Sequence, residues 1–185
     1  MFEKMIDPTA GPDVAAGDAP RLAERTDRLD GLTVGLLANT KQNAAAFLDA
    51  VAESLAEEHA IADVVRRTKL SITDPVPPDI LTELVDTCDV VVVGVGDCGS
   101  CSASAVVDGI TLEAAGLPAA VICSDAFQVS ADAMAGLRGS PGYRYVRTPH
   151  PVASLDADAV RERARTALPE IVGLLTGARP GAVAR

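Results

Sequence analysis

Apolar residues in this chain alternate between short unbroken runs and longer stretches where they recur every three or four positions. The run at 32–38 has the length and burial pattern of a strand. Over 43–58, Ala44, Phe47, Leu48, Val51 and Leu55 fall at helical spacing. A second short strand is expected at 61–65. A Pro-rich loop at 71–78 then leads through Pro77-Pro78 into a helix over 79–86. The segment 89–95 holds five valines and no room for a polar helix face. A continuous β-branched run of this kind marks a strand buried on both sides, as in parallel sheets. A helix follows over 100–115, stopped by Gly116 and Pro118, and then a strand at 119–123. The pattern ends with a helix over 126–137, a strand at 143–147 and a helix over 156–175, with Pro169 expected to kink or divide that last helix.

Regular alternation of strand and helix calls for right-handed crossovers and a parallel sheet covered on both faces. The expected architecture is a single doubly wound, flavodoxin-like α/β domain over 31–178, with five strands in the order 2-1-3-4-5. Before it, residues 1–30 carry Asp7-Pro8, Gly11-Pro12 and Ala16-Gly-Asp-Ala-Pro20 and read as an extended arm. That arm is either mobile or laid over the domain or a neighbouring subunit. Residues 179–185 read as a flexible tail.

Composition narrows the partners. The 185 residues suffice for one core, and with aromatics at 3% and no Trp that core is built from Ala, Val, Leu and Ile. The net charge of −10, with 26 acids against 16 basic residues, argues against nucleic acid, whose phosphates need clustered cations. No apolar stretch approaches the roughly 20 residues that span a bilayer. The N-terminal segment lacks the apolar run of a signal peptide, so a cytoplasmic location is expected. In a reducing compartment four cysteines are not a structural disulfide framework.

In doubly wound sheets the ligand site lies beyond the carboxyl ends of the strands, at the switch between the first and third. Here those ends carry the polar chemistry. Asn39, Lys41 and Asn43 follow the first strand. Asp97-Cys98-Gly99-Ser100-Cys101-Ser102 follows the third, Ser124-Asp125 the fourth, and Pro149-His150-Pro151 the fifth. The opposite ends carry plain helix-to-strand turns. Cys98 is expected at the cap or first turn of a helix, where free N–H groups and the dipole stabilise a thiolate. Cys101, one turn later, is within reach to form a short disulfide or to resolve a mixed one. Gly94, Gly96 and Gly99 permit tight turning and close approach of a ligand to the backbone. Asp97 opposes thiolate formation if charged and near, and Lys41 and His150 offset it if the loops converge.

Other polar residues have plainer readings beside functional ones. Cys88 opens the third strand and belongs to the core, whereas Cys123, ending the fourth, stands near enough to join the site. His59 reads as a solvated or cap residue. Arg66, Arg67 and Lys69, expected after the second strand, form either a solvated edge or a cradle for a carboxylate or phosphate. Ser100, Ser102 and Ser104 bind an anion or cap the helix. No second cysteine pair or close histidine pair completes a zinc set, so no metal is expected. With neither a Gly-x-Gly-x-x-Gly signature after the first strand nor a Walker loop, no cofactor is expected either.

The stretch Gly94-Val-Gly-Asp-Cys-Gly-Ser-Cys-Ser102, read on through Asp108-Gly-Ile110, Gly116-Leu-Pro118 and Ser124-Asp-Ala-Phe127, resembles the UGSC family. The segment Gly35-Leu-Leu-Ala-Asn39 with Lys41 and Asn43, the Arg66-Arg67 and Lys69 segment, and Pro149-His150-Pro151 are also similar, and the likeness spans about 32–175. In some members of that family the first cysteine of the motif is selenocysteine. The resemblance implies a nucleophile or redox centre at Cys98, with Cys101 as the resolving thiol, and slower chemistry of the same type with sulfur in place of selenium. A looser likeness to one half of the aspartate/glutamate racemase fold points to thiols as acid and base.

The expectation is a cysteine-dependent enzyme of reductase or transferase type, acting on a small molecule and drawing on a thiol reductant. Cys98, Cys101, His150 and Lys41 would carry its chemistry. Asn39, Asp97, Gly99, Ser100, Ser102 and Asp125 would hold its substrate. Two alternatives stand beside it: redox-neutral lyase or racemase-like chemistry using Cys98 with Lys41 or His150, and a non-catalytic role as a subunit of a larger assembly or a thiol sensor. Either a homo-oligomer or a partner subunit is the expected association.

Overall fold

The structure is a computed structural model and describes residues 21–177, so residues 1–20 of the expected arm over 1–30, and the tail over 179–185, lie outside the described residues. Five parallel strands form one sheet, β1 (Thr33–Ala38), β2 (Asp63–Thr68), β3 (Val90–Gly96), β4 (Ala119–Ser124) and β5 (Val146–Thr148), in the order β2-β1-β3-β4-β5. The helices are α1 (Ala44–Glu58), α2 (Pro78–Thr87), α3 (Gly99–Ala114), α4 (Gln128–Leu137) and α5 (Ala157–Thr176), with a 3-10 turn over Asp125–Phe127 before α4. This is the flavodoxin-like α/β arrangement, with β1 and β3 adjacent at the centre.

Alternation along the central strands divides the core in two. Val34 and Leu36 of β1, Val90 and Val92 of β3, and Ala120 and Ile122 of β4 pack under α1 and α5. Leu37, Val91, Val93, Ala119 and Val121 point the other way, toward α2, α3 and α4. Successive side chains on a strand face opposite sides, and both sides are covered, so these segments read as unbroken apolar runs. The β3–β4 register shifts between Val93 and Gly96. Beyond the shift Val95 joins the α1/α5 core, and Gly96 faces α3.

The edge strands differ from the sequence expectation. β2 begins and ends later than 61–65, because an edge strand is half exposed and lacks a continuous apolar run. Arg66 and Arg67 therefore lie within the strand and point to opposite faces. Arg66 meets Asp49 of α1 at 2.6 Å, and Arg67 pairs with Glu83 of α2. β5 is only Val146–Thr148, and Tyr143 and Tyr145 are buried in the loop before it. α5 runs unbroken through Pro169, which lies on the exposed face of the helix.

Lys69 turns inward. Its ammonium is buried and donates to Asp108 Oδ2 at 2.5 Å, Ser104 Oγ at 2.9 Å and the Asp74 carbonyl at 2.7 Å, while Asp108 Oδ1 accepts from Val76 N at 2.7 Å. The network fastens the 69–76 loop to α3. All three cations of the expected basic cluster thus have carboxylate partners in the protein, and they do not form an anion cradle. Lys69→Met would leave Asp108 buried and uncompensated, at a cost of about 3–5 kcal/mol. Urea denaturation should register that loss, and a double Lys69→Met/Asp108→Leu replacement should recover part of it.

The chain from Arg21 to Asp30 also lies against the domain. Glu113 of α3, whose side chain is fully buried, accepts from Ala23 N and from the Arg25 guanidinium, both at 2.7 Å, and from Ala119 N at 2.9 Å. Among the described residues, no helix is long and apolar enough to cross a membrane.

Candidate functional site

β3 runs into α3 through Gly96-Asp97-Cys98, and each of these residues has a distinct task. Gly96 lets α3 sit against the sheet. A Cβ there would lie 2.6 Å from Ser102 Cα and 2.8 Å from Cys123 Sγ. The close approach that its lack of a side chain permits is that of α3. Gly96→Ala would push α3 off β3, costing about 1–3 kcal/mol. A lowered melting temperature together with slower thiol labelling of Cys98 would register the displacement.

Cys98 is the N-cap of α3. Its backbone is extended, and its sulfur accepts from Cys101 N at 3.3 Å, a role usually filled by a Ser, Thr, Asp or Asn oxygen. Ser100 Oγ lies 3.6 Å from the same sulfur. The Cys98 and Cys101 sulfurs are at bonding distance with Cα atoms 5.3 Å apart, a separation that suits a disulfide. Cys98 is half-buried, whereas Cys101 is fully buried. The two thiols therefore differ in access although they are one turn apart.

Asp97 turns inward rather than toward Cys98, and its carboxylate has four donors. Ser124 Oγ of β4 and His150 Nδ1 (2.9 Å) share Oδ1, while Val152 N (3.0 Å) and Ala153 N (2.9 Å) share Oδ2. Burial pushes its carboxyl up. The Ser124 hydroxyl, the Ala153 and Val152 amides and the His150 ring outweigh that and hold it below the usual carboxylate value. Both oxygens are thus taken up in tying β3 to β4 and to the loop after β5, and the carboxylate is stabilised by donors within the protein.

His150 stays reachable, with 40% of its side chain exposed. Asp97 fixes Nδ1, the Asp125 carboxylate accepts the His150 backbone N–H at 3.1 Å, and the Phe127 ring packs edge-on at 5.1 Å. The opposite nitrogen, Nε2, is left to act as acid or base. The imidazole is thus bonded to the residue next to Cys98, with no bond to the sulfur itself. The His150–Pro151 and Gly94–Val95 peptides are cis.

The loop after β1 completes the wall. Asn39 is buried, and Nδ2 donates to Val95 O at 3.0 Å while Oδ1 accepts from Lys41 N at 3.0 Å. Asn43, at φ 66°, donates to the carbonyls of Val152, Ala153 and Leu155 and clamps the loop that carries His150. The structure brings Cys98, Cys101, Asp97, His150, Asp125 and Ser100 together. The Lys41 ammonium makes no hydrogen bond or ion pair among the described residues, while its backbone N–H donates to Asn39 Oδ1. Ser102, on the sheet-facing side of α3, is fully buried, its hydroxyl without a partner among the described residues and facing Gly96. Cys123 packs beside it, and burial pushes its thiol up to about 12, so it stays neutral and inert. Gly99 begins α3, and a Cβ there would meet Ser130 Oγ at 3.4 Å. Among the described residues, no group of His, Cys, Asp and Glu is arranged to hold a metal ion.

Two residues that matter here are not singled out as site residues by sequence reasoning. Ser124 bridges to Asp97, and Asn43 positions the His150 loop. Their signal was placement at strand ends beside the switch point, where a short polar side chain can meet a loop from another strand.

The molecule is therefore a flavodoxin-like α/β protein with a Cys-x-x-Cys pair at the start of α3, at the carboxyl edge of the sheet. The UGSC family profile matches residues 4–177, nearly the whole chain, and the chain belongs to the UGSC family. No curated protein and no solved structure matches it.

Proposed function

We propose that this chain is a thiol-dependent enzyme acting on a small electrophilic molecule, with Cys98 as nucleophile and Cys101 as resolving thiol. The observation that carries the reading is the asymmetric pair: an accessible Cys98 whose sulfur caps α3 and accepts the Cys101 amide, beside a buried Cys101 one turn on. Amide donors and the helix N-terminus favour a thiolate at that position.

In the first step the Cys98 thiolate bonds to the electrophilic atom of the substrate. The leaving group departs with the bonding pair and takes a proton, which the half-exposed His150 imidazole, held by Asp97 next to Cys98, supplies. In the second step the Cys101 thiolate attacks Cys98 Sγ. The bond to the substrate fragment breaks, the fragment leaves with that pair and is protonated, and the Cys98–Cys101 disulfide forms. The substrate gains two electrons and the dithiol loses two. A low-molecular-weight thiol restores the dithiol by two exchanges, and is itself oxidised to its disulfide.

Oxidised glutathione tests the sequence of steps with a defined electrophile. Reduced full-length protein should consume one oxidised glutathione, release both halves as free thiol and end with the Cys98–Cys101 disulfide. Reaction no faster than that of Cys98→Ser would refute the assignment. The Asp97-fixed imidazole supports a second reading, redox-neutral addition or elimination, in which Cys98 forms the bond and His150 moves the proton. Sustained turnover without any thiol reductant would select it.

A further inference from the structure

A groove of about 340 Å³ lies between α3, α4 and the loop after β2, with Ser100, two residues from Cys98, in its lining. Ser100 stands at its head, 3.6 Å from the Cys98 sulfur. Ala103 and Val107 of α3, Met134 of α4 and Pro75 of the loop after β2 give it apolar walls, and Arg138 also lines it. The loop wall is held by the buried Lys69–Asp108 network, so the groove is bounded by a fastened segment.

The two helices set its length. α3 and α4 both lead away from the carboxyl edge of a parallel sheet and so run in the same direction. Gly99 lies level with Ser130, since a Cβ there would be 3.4 Å from Ser130 Oγ. Just over two turns further along each helix, about 12 Å at the α-helical rise, stand Val107 and Arg138. Arg138 thus marks the far end. Its guanidinium is exposed and meets no carboxylate among the described residues, unlike Arg25, Arg66, Arg67 and Arg161.

We infer that this groove is the substrate cleft and takes a small anion with an apolar body. The reactive atom lies at Cys98, a chain or ring of about 10–12 Å in all lies over Ala103, Val107 and Met134, and a carboxylate or similar anionic end sits on Arg138. The assignment rests on the thiol reading above. A guanidinium pairs well with a carboxylate, and Ala103, Val107, Met134 and Pro75 suit an apolar body. Of the hydroxyls that also line the groove, Thr73 and Ser104, the second is already bonded to Lys69 and the Asp74 carbonyl. In a chain of net charge −10 an unpaired cation at the end of an apolar groove selects for negative charge where the rest of the surface repels it.

The probes are 6-iodohexanoate and its uncharged partner 6-iodohexanamide, used on the reduced Cys101→Ser chain with alkylation of Cys98 followed by mass spectrometry. The carboxylate should react about five- to tenfold faster than the amide. In Arg138→Gln that ratio should fall to about one, and Arg138→Lys should keep most of it. A ratio near one in the unmodified groove, or a preference that survives Arg138→Gln, overturns the inference while leaving the thiol reading intact. Failure of Cys98 to react even with iodoacetamide overturns the thiol reading and the inference with it.

Discussion

Serine in place of Cys101 should stop the reaction half-way, with a stable glutathione adduct on Cys98 when the reduced chain meets oxidised glutathione. The adduct persists because the resolving sulfur is gone and no second thiol can reach Cys98. Cys123 is fully buried beneath α3 and held neutral, and Cys88 lies at the amino end of β3. Cys98→Ser should have the larger rate effect, a loss of at least about a thousandfold, as expected when the attacking atom itself is removed. The two variants should therefore differ in kind: one accumulates an intermediate, and the other never forms it. Intact-mass measurement separates them, and an adduct on Cys101 in the Cys98→Ser chain would reverse the assigned roles.

Asp97→Ala should be the most destabilising single change near the site. It removes the acceptor for Ser124, His150, Val152 N and Ala153 N at once and leaves buried donors without partners. The expected loss is about 3–5 kcal/mol, and a fall in melting temperature of about 10 °C follows for a chain of this size. The pH dependence has a definite sign. The Asp97 carboxyl is held below its ordinary value in the folded protein. The stability it contributes is therefore fully present above the unfolded carboxylate value of about 3.9, and is lost as pH falls through the lower folded value. Acid unfolding curves of the parent and Asp97→Ala should converge at low pH and separate above about pH 4. Parallel curves over the whole range would show that the ionised carboxylate contributes nothing.

The central sheet was legible in the sequence because β1, β3 and β4 are covered on both faces, and such coverage leaves unbroken apolar runs such as Val90–Val93. The edges were not. β2 mixes valine with Arg66 and Arg67, since an edge strand tolerates charges that reach neighbouring helices, and its limits moved by two to three residues. The site was legible as a set of strand ends, and Cys98 and His150 stood out by residue type and flanking prolines or glycines. What the sequence could not convey is pairing across the sheet. The Asp97 carboxylate joins residues 27 to 56 positions away, and the Lys69 ammonium meets Asp108 across 39. Only the fold brings these partners together. For the same reason Asp97, expected beside the substrate, is found fully engaged in holding His150 and its loop.

The central claim is that Cys98 is an activated thiol and Cys101 its shielded partner. Iodoacetamide labelling of the reduced full-length chain across pH tests it most directly, with the two cysteines resolved by peptide mass spectrometry. Cys98 should be labelled first, with a half-maximal rate well below the pH of about 8.5 at which a free thiol ionises, and Cys101 should lag at every pH. Equal labelling of the two cysteines, or a Cys98 profile centred at the free-thiol value, would contradict the account.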